Sequence, residues 1–163
     1  MMTSWESRPT DVANLFNPAF CGEIIRVCVK SYTKESNEPF PYLLSFLILP
    51  TLLYKDVRQT MQGRYLYLNA WLQQNIEVRI NFAQRTRSLV PITQESIVFL
   101  LQLGLLNLNQ DGDLEASKFR KHPTKSQNEF PISDFYEKSE LLGKWLARVR
   151  DIRSIYIMWG IQP

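Results

Sequence analysis

The chain has one histidine, His122, and two cysteines, Cys21 and Cys28. That scarcity removes whole classes of chemistry. A Ser-His-Asp or Cys-His centre needs an imidazole held rigidly against its nucleophile. His122 lies in the polar run SKFRKHPTKSQNEFP (117–131), which reads as a solvated linker. A structural zinc site wants four nitrogen or sulfur ligands, more than these three residues supply. Neither G-x-x-x-x-G-K-[ST] nor G-x-G-x-x-G occurs, so no phosphate-cradling loop is legible. Asp111-Gly112-Asp113 opens like a calcium loop, but the later ligands are missing and a hairpin turn accounts for it. The cysteines stand seven apart in one expected helix, ~10 Å along its axis, too far for a disulfide. Both read as buried thiols in a reducing compartment. No catalytic residue, cofactor or metal is expected.

Long hydrophobic runs are also missing. The opening MMTSWESRPTDVANLF carries charges and Pro9, unlike a secretory signal. The most apolar stretch, Tyr42–Tyr54, is interrupted by Pro50 and is too short to span a bilayer. It reads as a buried core helix, and the chain as a cytoplasmic protein with no membrane partner. One-sided charge is scarce as well. A net charge of +3 is mild beside the basic excess of a dedicated DNA-binding domain.

What is present is helical periodicity. Residues 1–10 read as a flexible N-terminus and 11–163 as a single, mainly helical domain. Thr10 or Asp11 could cap a short helix through Phe16. Asn17-Pro18 marks a second start, with Asn17 as N-cap and Pro18 at the first helical position. Phe20, Cys21, Ile24, Ile25, Cys28, Val29 and Tyr32 then recur at three- and four-residue spacing, and Ser31–Pro41 reads as a loop. Tyr42–Leu49 is apolar all round, which predicts a fully buried helix that Pro50 kinks or ends. Further helices are expected from about Tyr65 to Gln74 and over Ile76–Ser88. The second of these would turn Ile76, Ile80 and Ala83 inward and Arg79, Arg85 and Arg87 outward.

The richest stretch is ITQESIVFLLQLGLLNLNQDGDLEA (92–116). After Pro91, Thr93 reads as an N-cap, with Ile92 and Ile97 in hydrophobic-staple positions. Gly104 is a natural helix stop. Leu106 and Leu108 alternate into a strand, Asp111-Gly112 turns, and Leu114 and Ala116 alternate back. Helix followed by hairpin is the order of a winged helix-turn-helix. The fold class expected is therefore mainly α, with a winged-helix-like core at about 76–116 and a small β-hairpin wing. A basic linker at 117–131 and C-terminal helices at 133–160 complete it, the first capped by Ser133 or Asp134 and the last ended by Gly160. Ile152, Ile155, Tyr156 and Trp159 keep helical spacing there, although β-propensity alone would make Ile155–Trp159 a strand.

Two basic groups are candidates for nucleic-acid or partner contact: Arg79, Arg85 and Arg87 before the capped helix, and Lys118, Arg120, Lys121 and Lys125 after the wing. A solvated face and a solvated linker are the favoured reading, ahead of phosphate contact and then an acidic protein partner. The helix in recognition position offers base edges only Gln94, Glu95, Ser96 and Gln102, a poor set for reading sequence. Any DNA contact would go to the backbone without sequence preference. Trp5, Trp145 and Trp159 are the aromatic candidates for a partner interface, with core packing as the favoured reading for the last two.

Four segments taken in order carry a resemblance across nearly the whole chain: RPTDVANLFNPAFCG (Arg8–Gly22), PFPYLLSFLILP (Pro39–Pro50), RTRSLVPITQESIVFLLQLGLL (Arg85–Leu106), and LLGKWLAR (Leu141–Arg148) with the closing WGIQP. Together they resemble the middle components of bacterial three-component ABC-ATPase systems. The resemblance implies a small non-catalytic subunit working with an SMC-like ABC ATPase and a third, effector protein in conflict with phage or other foreign DNA. The ATP site would belong to the partner. A homodimer and a non-specific DNA contact through the complex stay open. The first rival reading is a winged-helix transcription regulator. The second is a subunit that completes an active site in trans through Arg85 or Arg87.

Overall fold

The computed structural model describes residues 16–117 and 130–162. The expectations for the N-terminal segment with Trp5, and for the linker with His122, Lys118, Arg120, Lys121 and Lys125, lie outside the described residues. Those described form a mainly helical fold with a two-stranded antiparallel hairpin.

Helix α1 (Pro18–Ser36) starts as the sequence predicts. The Asn17 side chain accepts a hydrogen bond from the Ala19 amide at 2.7 Å, and Pro18 occupies the first turn. The helix runs a turn past its expected end, through the segment read as loop, and stops at Asn37. That residue adopts the left-handed conformation (φ 59°) and returns its amide to the Thr33 carbonyl.

The apolar stretch after Pro41 is a 3₁₀ segment (Tyr42–Leu47) that passes into a short helix, α2 (Ile48–Leu52). Pro50 neither ends nor precedes α2. It sits in the first turn, where an amide proton has no helical acceptor in any case. Helices α3 (Lys55–Thr60) and α4 (Leu68–Gln74) come next, then a 3₁₀ turn at Ile76–Arg79.

Helix α5 (Phe82–Gln102) overturns the expected break. It passes through Pro91 without interruption, and Thr93 is an interior, buried residue and no cap. Pro91 is exposed, so the Arg87 carbonyl that loses its helical donor can be met by water. The inward face is Phe82, Thr86, Leu89, Thr93, Ser96, Ile97 and Leu100. Of the helix expected over Ile76–Ser88, Phe82–Ser88 is helical as the start of α5, and the first part is not, because Asn81 turns left-handed (φ 57°) between the 3₁₀ turn and α5. That turn resets the register: Ile76, Ile80 and Ala83 face solvent and Val78 is buried in their place.

The hairpin is as expected. Strand β1 (Leu106–Leu108) pairs with β2 (Leu114–Ala116), Leu108 opposite Leu114. The Asn109 side chain accepts from the Asp111 and Asp113 amides, and Gly112 supplies the positive φ (81°). Helix α6 (Phe130–Val149) starts earlier than Ser133 or Asp134 and needs no cap there. Arg150, left-handed at φ 64°, turns the chain into α7 (Ile152–Met158), which Asp151 caps by accepting from the Ser154 amide. Ile155–Met158 is thus helical, as the periodicity indicated, with Trp159 as the C-cap and Gly160 after it at φ 76°.

Helices α1 and α6 lie side by side and run in the same direction. Phe20 meets Phe135 edge-on at 5.1 Å, Ser139 donates to the Ile24 carbonyl at 2.6 Å, Ser31 donates to the Glu140 carbonyl at 2.6 Å, and Arg148 reaches Glu35 at 2.8 Å. A Cβ on Gly143 would stand 2.5 Å from the Cys28 carbonyl oxygen, so only glycine permits this approach. Beyond the seam, Trp71 packs against Trp145 and Trp159 at 5.1 and 5.4 Å, and Trp159 stacks on Phe82 at 4.3 Å. Trp145 (0%) and Trp159 (1% exposed) are therefore core residues, not surface for a partner, because these aromatic contacts consume their faces. No helix among the described residues is long and apolar enough to cross a membrane.

Candidate docking face and arginines

The hairpin's position comes from how α5 ends. Gly104, at φ 68°, lets its own amide reach the Leu101 carbonyl and the Leu105 amide reach the Leu100 carbonyl, a double closure that turns the chain back along the helix. On its other side, β2 is tied to the chain before the 3₁₀ segment. Phe40 and Leu114 exchange amide-to-carbonyl bonds of 2.9 and 2.8 Å. Tyr42 is thereby carried to the rim beside α5.

Between these parts lies an open depression of about 370 Å³ lined by Tyr42, Gln94, Ile97, Val98, Leu101, Leu108 and Gly112. The α5 contributors stand at helical spacing i, i+3, i+4 and i+7, on a stripe rotated away from the core. Val98 is 50% and Leu108 51% exposed. Gln94 is the one amide side chain in the lining, and no carboxylate, imidazole or amine stands there. Such a surface suits an apolar group, with the Tyr42 hydroxyl and the Gln94 amide as its polar side-chain atoms. It contains part of the helix read as recognition element. Of the four polar residues assigned to base edges, Ser96 is buried with its hydroxyl on the Ile92 carbonyl, while Gln94 and Gln102 are exposed.

The arginines grouped together by the sequence do not share a face. Arg79 and Arg87 are exposed. Arg85 is half-buried, lies over the Tyr54 ring with its guanidinium carbon 4.3 Å from the centroid, and donates to the Val78 carbonyl at 2.9 Å. Desolvation holds its pKa below the usual arginine value. The register reset at Asn81 separates Arg79 from the other two, and two residues on a helix put Arg85 and Arg87 on different sides.

A second basic surface went unread in the sequence. Lys30 and Lys34 on α1 and Lys144 on α6 line a cleft of about 330 Å³ beside the α1–α6 seam, together with Glu140. The signal was the i, i+4 pair on α1, but its meeting with Lys144 depends on helix pairing that spacing does not reveal. Both thiols are buried and unpaired in disulfides. Burial pushes Cys21 up to about 12, with Glu95 adding to it, and Cys28 higher still. Among the described residues no cluster of three or more His, Cys, Asp or Glu could hold a metal.

No curated protein and no solved structure matches the chain. A family model does, over residues 5–163: that of the ABC-three component (ABC-3C) system Middle Component 3. The match spans all but the first four residues, and the chain belongs to that family of ABC-three component system middle components.

Proposed function

We propose that this chain is a non-enzymatic adaptor that bridges an SMC-like ABC ATPase to an effector protein in a bacterial complex directed against phage or other foreign DNA. The observation that carries the reading is the apolar depression between α5 and the hairpin. It is built on rigid elements, exposes Val98 and Leu108, and has no carboxylate, imidazole or amine in its lining. Its occupant is a protein component of the same three-component system, since membership of the family implies such partners. Exposed apolar side chains beside one amide suit protein–protein contact. They suit phosphate poorly, which needs cations or amide donors.

The helix-then-hairpin unit is what supports the winged-helix comparison. Its missing element is the turn between two helices, since α5 is unbroken. A regulator that seats a separate recognition helix in the major groove is correspondingly less well supported. Co-expression with the other two components tests the adaptor. The chain is expected to co-migrate with the ATPase on size exclusion and to show no turnover alone. Elution at its own mass beside an ATPase–effector complex that assembles without it would refute the reading.

A further inference from the structure

Apart from Arg64, which bonds to and lies over only the adjacent Tyr65, four arginines among the described residues are fixed by side-chain contacts, and three of these have a carboxylate. Arg26, with a fully buried side chain, is held at both Nε and Nη2 by Glu23 at 2.9 and 2.6 Å. Arg58 meets Asp134 at 2.9 Å, and Arg148 meets Glu35 at 2.8 Å. Arg85 is the exception. One of its five N–H groups is given to the Val78 carbonyl, and its Nε is buried without an acceptor. No Asp or Glu among the described residues exerts a pull on it, and burial lowers its pKa. The guanidinium is nevertheless immobilised, over Tyr54 at 4.3 Å and beside Phe82 at 5.4 Å. A partly desolvated cation with no counter-ion among the described residues costs stability, and the Val78 carbonyl and the ring contacts leave most of its donors unused. Ile76 (68% exposed) and Ile80 (64%) bracket Val78 in the chain, and Tyr54 is also partly exposed. Arginine on a partly exposed tyrosine is the residue pairing of an interface centre, and the two exposed isoleucines are next but one in the chain to the Val78 that Arg85 bonds.

We propose that Arg85 is a pre-positioned anchor for a carboxylate of a partner protein, whose neighbouring apolar side chains lie on Ile76 and Ile80. The free terminal N–H groups of the guanidinium take the carboxylate oxygens, and the Tyr54 ring and the Val78 carbonyl hold the fork in place before the partner arrives. The inference rests on the adaptor reading and adds a second contact to it. Arg85 and Val98 are thirteen residues apart on α5, about 20 Å along its axis, and point to different sides. One helix can thus hold two proteins.

The test is Arg85→Met, which keeps the stem over the rings and removes the charge. Affinity for the co-expressed ATPase and for the third component is measured separately against the wild type, at two salt concentrations. For one of the two, the variant is expected to bind at least tenfold more weakly and to lose the salt dependence that the wild type shows. The Tm of the isolated chain should move by no more than about 2–4 °C. Should Arg85→Met fail to fold, Ile80→Glu decides. It changes a side chain already in solvent and should weaken the same partner by placing like charge beside its carboxylate. Wild-type affinity in the variant that folds overturns the inference, as does a Tm loss reproduced by neutralising Glu6, Asp11 or Glu129 of this chain. In that event the adaptor reading survives, since the wild-type complex is intact. A wild type that captures neither component overturns both.

Discussion

The seam between α1 and α6 and the face between α5 and the hairpin are built on opposite terms. Along the seam the chain uses its smallest residues, Ser31, Ser139 and Gly143, so that two parallel helices come within backbone contact and serine hydroxyls bond across to carbonyls. The seam itself is closed, and only the lysine-lined cleft beside it opens outward. Along α5 and β1 the chain uses large residues, and leaves Val98 and Leu108 half exposed beside the partly buried Leu101. The difference separates what the protein uses to hold itself together from what it can offer outward. It also separates look-alikes: Trp145 and Trp159 belong to the sealed part, and aliphatic residues that look like ordinary core, Val98 and Leu108, belong to the open one.

The contrast can be broken at several points. The largest effect expected is on thiol chemistry. With Cys21 raised to about 12 and Cys28 beyond it, native thiolate at pH 8 is about a thousandfold scarcer than for an ordinary thiol. An aromatic disulfide reagent should therefore leave the folded chain unmodified and titrate two thiols after denaturation. Rapid native labelling would mean that the seam opens. Gly143→Ala comes next. Its Cβ meets a main-chain carbonyl that cannot rotate away, so a loss of about 3 kcal/mol in urea unfolding is expected, at the upper end for overpacking. A loss below about 0.5 kcal/mol would show the helices to be loosely held. On the open side, Gly104→Ala forces a side chain into the left-handed region and should cost about 1 kcal/mol while misplacing the hairpin, read as a lower Tm together with weaker partner capture.

The smallest effect lies outside both regions. Hydrogen bonds from the Ser154 hydroxyl and amide hold the Asp151 carboxyl below its ordinary 3.8. The stability it lends is whole above that value and is lost as pH falls through the depressed one. Asp151→Asn keeps a capping oxygen but should flatten this acid-limb dependence in thermal melts between pH 5 and 2.

The residues differ in how legible they were. Helix α1 could be read because its start is local chemistry: Asn17 caps the first turn and Pro18 opens it. The hairpin was legible for the same reason, through Gly104, Asn109 and Gly112. Pro91 misled, because its cost depends on facing solvent, and only the burial of Thr93 and Leu89 opposite fixes which way it faces. Asn81 misled by hiding a left-handed turn in a run that otherwise keeps helical spacing, and with it went the inward face assigned to Ile76, Ile80 and Ala83. Of the candidate contacts, Arg85 was named from charge alone. What makes it distinctive, a guanidinium held without a carboxylate, is a matter of tertiary neighbours. The docking face was named only as an apolar helix, since whether Val98 and Leu108 are covered depends on where the hairpin lands.

The most direct measurement is the affinity of the Val98→Asp, Leu108→Asp double variant for the ATPase and for the third component of its own system. Both side chains are already in solvent, so the isolated chain should keep its Tm, while binding to one component should fall by tenfold or more. A folded double variant that binds both components as tightly as the wild type would contradict the account.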